Sequence, residues 1–287
     1  MRSRTRVRIA RSAIALALAF TLAACTPTTA RRFSEGLAQE LTEAPFYRLP
    51  DPVVAAAPGT IVRTEPIPNA PDGAKAWRVL YHSTDVLGHD ILVSGVVVTP
   101  TSPAPSGGRP IMSWGHPTTG AVQRCAPSVG VDPFDTIEGL SDFLKRGYVV
   151  AATDYSGMGA AGPDSYLIGT TEGNNVLDAA RAARNIPGAH ADSDLVLWGH
   201  SQGGQAVLFA AQSAKTYAPE LRLKAAAVAA PATNLGELLN ADIGDVSGVT
   251  IASYALVAYS SVYGPSIPKA RLGDILTPAG AQAAPVM

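Results

Sequence analysis

Asp194-Leu-Val-Leu-Trp-Gly-His-Ser-Gln-Gly-Gly-Gln-Ala206 joins a short apolar run to a G-x-S-x-G pentapeptide and then to an alanine-rich helical pattern. Leu195–Trp198 reads as a buried strand and Gln202–Lys215 as a helix, the setting in which such a pentapeptide forms a nucleophile elbow, here centred on Ser201. A serine aimed out of a tight strand-to-helix turn sits in strained backbone, so its neighbours must be small. Gly199, Gly203 and Gly204 meet that need. Gln202 opens the helix, where a free backbone N–H and the positive end of the helix dipole favour an oxyanion. A merely decorative glycine turn would not require the flanking strand and helix.

Upstream of this stretch, Gly169-Thr-Thr-Glu-Gly173 introduces a helix running to Ile186, with Val176, Leu177, Ala180 and Ala183 on its core side. Tyr148–Thr153 is a near-continuous apolar strand of the kind buried on both faces. It ends at Asp154, which reads as a turn or cap residue. Asp132–Arg146 has helical spacing through Phe134, Ile137, Leu140 and Phe143, with Gly147 as a stop. Pro110–Trp114 is another buried strand and leads into Gly115-His-Pro-Thr-Thr-Gly120. Thr60–Pro66, Ala76–Ser83 and Asp90–Val98 read as antiparallel strands, and the Pro-, Ser- and Gly-rich Thr99–Pro110 as an exposed loop. Downstream, Leu223–Ala229 is a buried strand. Leu235–Tyr263 then reads as helices without an intervening strand, a cap whose apolar residues suit either an acyl-binding wall or plain core packing.

The chain has 287 residues, 47% hydrophobic and 16% charged, enough for one sizeable α/β core. Arg2, Arg4, Arg6, Arg8 and Arg11 precede an apolar run from Ile14 to Leu22 that is too short to span a bilayer. Leu22-Ala-Ala-Cys25 closes it, resembling a bacterial lipoprotein signal with Cys25 as the acylated residue; an ordinary secretory signal is the alternative. Residues 25–50 then form a tether and N-terminal segment, with one short helix around 35–41. Beyond residue 24 there are 17 basic and 23 acidic residues, a net charge of −6, which offers nothing to nucleic acid. The expected location is outside the cell, anchored by lipid to the envelope or secreted. Five histidines and two cysteines form no metal-ligand spacing, and no cofactor is expected. Cys125 is an odd thiol for an exported protein: free, paired between molecules, or missing its partner.

Trp114-Gly-His-Pro-Thr-Thr-Gly120, Cys125-Ala-Pro-Ser128, Ala152-Thr-Asp-Tyr155 and Trp198-Gly-His-Ser-Gln-Gly-Gly204 together resemble the secretory lipase family of α/β hydrolases, from about Pro50 to Asn240. The resemblance implies an α/β-hydrolase fold: a mostly parallel sheet with helices on both faces, N-terminal antiparallel strands and the start of a helical cap. It implies a core over 51–234 and a partial cap over 235–287, with the last strands absent and the chain a C-terminally truncated lipase. It implies an ester hydrolase acting on acyl esters or lipids through Ser201. The second oxyanion N–H in such folds comes from the loop after the third core strand. Pro117 has none to give, so Thr118 is the first choice and Thr119 the second. The family's triad runs serine, acid, histidine, yet His82, His89, His116, His190 and His200 all precede Ser201. No triad base is therefore assigned, and His116 is expected to brace its loop. The triad acid stays open, because Asp242, Asp245 and Asp274 fall in the cap. Cys125 would pair downstream. A non-catalytic surface lipoprotein is the reading from a different class.

Overall fold

A computed structural model describes residues 45–267 and 271–283. The expected signal peptide, the acylation site Cys25 and the short helix near 35–41 lie outside the described residues.

Among the described residues seven strands form one sheet: β1 (Ile61–Pro66), β2 (Ala74–Thr84), β3 (Asp90–Pro100), β4 (Arg109–Gly115), β5 (Val149–Thr153), β6 (Ala191–His200) and β7 (Arg222–Ala229). Their order is β1-β2-β3-β5-β4-β6-β7. The β1–β2, β2–β3 and β3–β5 pairs are antiparallel, and β4 with β5, β4 with β6 and β6 with β7 are parallel. The antiparallel flank is thus joined to a parallel half in which β4 and β6 are neighbours. That adjacency brings the loop after β4 beside the end of β6, where Ser201 lies.

Helices cover both faces. On one face α2 (Gly169–Arg184) and α3 (Gln202–Tyr217) pack Val176, Leu177 and Val207 against Val79, Val93, Ile111 and Leu195. On the other, α1 (Leu140–Lys145) and the turns before it place Phe134, Ile137 and Leu140 against Val96, Met112, Trp114 and Val150. Val79, Tyr81, Val93 and Val97 of β2 and β3 face the first core, while on the opposite side Ala76, Val96 and Val98 face the second and Leu80 and Leu92 pack with Phe46.

The helix expected over 132–146 is shorter than its apolar spacing suggested. Asp132 Oδ1 accepts from the Phe134 N–H at 3.0 Å, an Asx turn that competes with helix, and Gly139 at φ 78° breaks the run before α1. Phe134, Ile137 and Leu140 are nevertheless buried, so the spacing found the right face through turns instead of one helix. Asp154 also differs from expectation. It is no surface cap: fully buried, its carboxylate accepts from Ser94 Oγ at 2.6 Å, from the Ser128 N–H at 2.9 Å and from Ser128 Oγ. It thereby fastens the 125–128 segment to the middle of β3 and the end of β5.

Beside these apolar residues, α2 carries buried polar side chains joined to β2. Asn175 Nδ2 donates to Ser83 Oγ, which donates to Asp178 Oδ2 at 2.7 Å; Asp178 also meets Arg181 and the Tyr217 hydroxyl, each at 2.7 Å. Burial outweighs these partners and raises the Asp178 carboxyl to about 6.

Candidate active site

Ser201 caps the N-terminus of α3 with φ 54° and ψ −117°, a conformation an L-residue adopts only under constraint. The constraint is visible in its backbone bonds. Its N–H donates to the Ala229 carbonyl at 2.9 Å, and its own carbonyl accepts from Gln205 at 3.1 Å and Ala232 at 3.1 Å. The end of β7 and the first turn of α3 thus fix the serine from both sides. Gly199 must be glycine, because a Cβ there would stand 2.2 Å from the Gly203 carbonyl oxygen.

Gln202 is the first residue of α3 and is buried. Its side-chain Nε2 donates to Glu172 Oε1 at 2.6 Å. Thr118 lines the same cavity as Ser201 and Gln202, with its hydroxyl 2.7 Å from the Tyr166 hydroxyl. Thr119 is exposed and turns its hydroxyl to the Cys125 carbonyl at 2.8 Å. Of the two threonines weighed as donors, Thr118 is the one brought to Ser201.

His116 is built into its loop. Nδ1 lies 2.7 Å from the Pro117 carbonyl and Nε2 3.4 Å from the Asp154 carbonyl, and the ring packs 4.4 Å from that of Tyr155. Burial lowers its pKa. His200 turns to Glu138, with Nδ1 2.7 Å from Oε1. His82 and His89 pair with Asp90 and Asp85, each on the β2–β3 hairpin or its turn, and His190 precedes β6. Asp242 lines the cavity, a position its place in the sequence did not signal; Asp245 precedes the second cap helix and Asp274 is exposed on a short one. Cys125 is half-buried and unpaired among the described residues, which also hold no cluster able to bind a metal ion.

The cavity above Ser201 has a volume of 440 Å³. Its roof is the cap, which consists of α4 (Leu235–Asp242) and α5 (Val246–Tyr263). Ile251, Ala255 and Tyr259 face the cavity, whereas Ala258 packs into a small cluster with Tyr166 and Ile168. Ala255 and Tyr259 also pack against that cluster, so the same residues line the cavity and join the core. Tyr259 donates from its hydroxyl to the Leu167 carbonyl at 3.1 Å, and Tyr254 meets Tyr166 edge to face at 5.4 Å. These contacts hold α5 over the site. By length and composition α5 could also cross a membrane, but here it lies on the core as a cap.

Leu167 and Glu172 escaped the sequence reading. Leu167 lines the cavity at φ 56°, and its N–H donates to Glu172 Oε1 at 3.0 Å. Glu172 is fully buried, and burial raises its carboxyl to about 8. Its only signal in sequence is an acid in the first turn of a helix, which ordinarily marks a solvated helix start.

A serine held at a strained strand-to-helix turn, on the parallel half of a mixed sheet and beneath a helical cap, defines an α/β-hydrolase fold. The sequence pattern of the secretory lipase family matches residues 134–263. Lipase 6 of Candida albicans is 30% identical over 70% of this chain and 46% of its own length. A Mycobacterium tuberculosis protein named "Probable inactive lipase MT1628" is 29% identical over 67% of this chain and 46% of its own. Among solved structures, closed-state Candida antarctica lipase A matches with a TM-score of 0.68 at 24% identity, covering 84% of this chain and 57% of that one. The rice cell wall degrading esterase LipA of Xanthomonas oryzae matches with 0.65 at 24%, covering 80% and 67%. Over these residues the chain is similar to the secretory lipase family. It spans about half the length of the curated relatives it matches.

Proposed function

We propose that the protein is an exported ester hydrolase that cleaves acyl esters through Ser201. The observation that carries this reading is the strained Ser201 backbone, fixed by Ala229 and Ala232, opening into a largely apolar cavity. Ser201 Oγ attacks the acyl carbonyl, and the N–H groups of Gln202 and Thr118 hold the oxygen that gains charge. Collapse of this intermediate expels the alcohol and leaves an acyl-serine, which water hydrolyses to the acid. The 235–287 segment serves as the cap that receives the acyl chain. Residues 1–24 direct export, and Cys25 carries the lipid that tethers residues 25–50 to the outer face of the membrane.

Activation of the hydroxyl needs a base, and loss of a triad histidine in a serine hydrolase lowers turnover by roughly a millionfold. All five histidines precede Ser201, and His116 and His200 are engaged by loop carbonyls and by Glu138. Neither the histidine nor the acid of the triad is therefore assigned among these residues. Fluorophosphonate labelling of the protein, compared with its Ser201→Ala variant, tests the reading. Labelling confined to the protein with Ser201 supports it; equal labelling of both sinks it.

The histidine distribution also favours a second reading, a surface lipoprotein that binds and does not catalyse. A stop codon after residue 287, with a folded chain inert towards p-nitrophenyl esters, would establish that reading in place of the first.

A further inference from the structure

Glu172 is a fully buried acid that the reaction outlined above does not use. A helix-start acid ordinarily reaches back to cap the first turn, and that role would account for its bond from the Leu167 N–H. It does not account for the second bond. The same oxygen, Oε1, also accepts from Gln202 Nε2, a residue on a different helix and next in sequence to Ser201. Leu167 stands at φ 56° in the cavity wall and takes the Tyr259 hydroxyl of the cap on its carbonyl. One carboxyl oxygen therefore joins the strained wall of the cavity to the residue that starts α3.

We propose that Glu172 is a positioning residue for the reaction at Ser201, its carboxyl fixing Gln202 at the oxyanion site and Leu167 in the acyl cavity as one unit. This rests on the assignment of Ser201 as nucleophile. Two features show that the unit is matched to an uncharged acid. Both bonds fall on Oε1, while Glu172 Oε2 and Gln202 Oε1 are buried without a partner. A proton on Oε2 turns one of these two orphan acceptors into a donor. The titratable groups that act on Glu172 from the surrounding elements are Asp164, Tyr155, Tyr166 and Tyr259, none of them a cation. Burial first, and Asp164 after it, raise the carboxyl to about 8 against the lowering effect of its two donors. Below that pH the link is neutral and closed. Above it the carboxylate keeps both N–H donors but leaves a buried charge with no partner at Oε2, so water must enter and Gln202 and Leu167 shift together.

The test is a pH titration of the full chain by NMR, following the side-chain amide of Gln202 and the backbone amide of Leu167. Both should shift with a single midpoint near 8. In Glu172→Gln, which keeps an acceptor at the same place but cannot ionise, both should stay flat. The rate of fluorophosphonate addition to Ser201 should fall about tenfold across the midpoint in the natural protein and hold steady in Glu172→Gln. Gln202 and Leu167 amides that do not titrate, or that titrate equally in Glu172→Gln, would overturn the proposal, as would a labelling rate blind to the midpoint. A total lack of labelling in both proteins reports only that Ser201 is not activated, and the amide titration then decides alone whether the link exists. Glu172→Leu should displace both amides at every pH; if it does not fold, the comparison with Glu172→Gln stands alone.

Discussion

Gly203 presses against Gly115 so closely that a methyl group on Gly203 would stand 1.9 Å from the Gly115 carbonyl oxygen. The contact seats the first turn of α3 on the end of β4, the strand that also leads into the Thr118 loop. A second carbonyl, that of His116, would lie 2.7 Å from the same methyl. Both obstacles are backbone, so neither can rotate aside. Gly203→Ala should therefore destabilise the fold by about 3 kcal/mol, at the upper end of ordinary overpacking. Urea denaturation followed by circular dichroism measures this, and an unchanged midpoint would contradict the packing described.

Ser201 stores strain that glycine would release. At φ 54° and ψ −117° a Cβ is unfavourable, whereas glycine enters the mirror-image extended region freely. Ser201→Gly should be more stable than Ser201→Ala by about 1 kcal/mol, the strain relieved less the extra entropy glycine loses on folding. Neither variant should react with a fluorophosphonate. The pair separates the backbone effect from loss of the hydroxyl, since both remove the oxygen and only one relieves the backbone.

The pH dependence of stability follows from Glu172. Its carboxyl is raised from 4.5 to about 8 in the folded protein, so between those values the folded state holds a proton that the unfolded state has lost. Stability from this group is complete below about 4.5 and declines as pH rises through 8. The loss over that window is on the order of 5 kcal/mol for a group with no exposure to solvent. Glu172→Gln should flatten this part of the profile. Thermal unfolding at pH 5 and pH 9 gives the comparison: a fall of equal size in both proteins would assign the pH dependence elsewhere.

The cavity makes a prediction that does not depend on turnover. Ala255 is a small residue on α5 facing the 440 Å³ space above Ser201. Ala255→Trp would occupy room that two or more methylenes of an acyl chain would otherwise fill, each worth about 0.8 kcal/mol on burial. Binding of a long-chain fatty acid, measured by calorimetry, should weaken by roughly tenfold or more, while acetate is unaffected. Equal affinity of the two proteins for the long chain would place the acyl site outside this cavity.

Much of this arrangement was legible in the chain, and the exceptions share a cause. The strands at 60–66, 76–83, 90–98 and 148–153 lie within or close to those observed, because alternation and apolar runs are local signals. The helix expected over 132–146 failed where Asp132 and Gly139 offered the backbone local alternatives that spacing does not register. Asp154 reads locally as a turn residue and becomes a buried anchor because Ser94 and Ser128 arrive from distant parts of the chain.

The sequence by itself determined Ser201. Every requirement of the elbow, the apolar strand, the small flanking residues and the helix that follows, is met within thirteen consecutive positions from Asp194 to Ala206. The tertiary structure alone decided what surrounds that serine. Thr118, Leu167, Glu172 and Tyr259 are remote from it in the chain, and they meet there because β4 and β6 pair side by side and α5 folds back over their ends. An acid in the first turn of a helix is ordinarily solvated, and only this packing takes Glu172 out of water and sets it against Gln202.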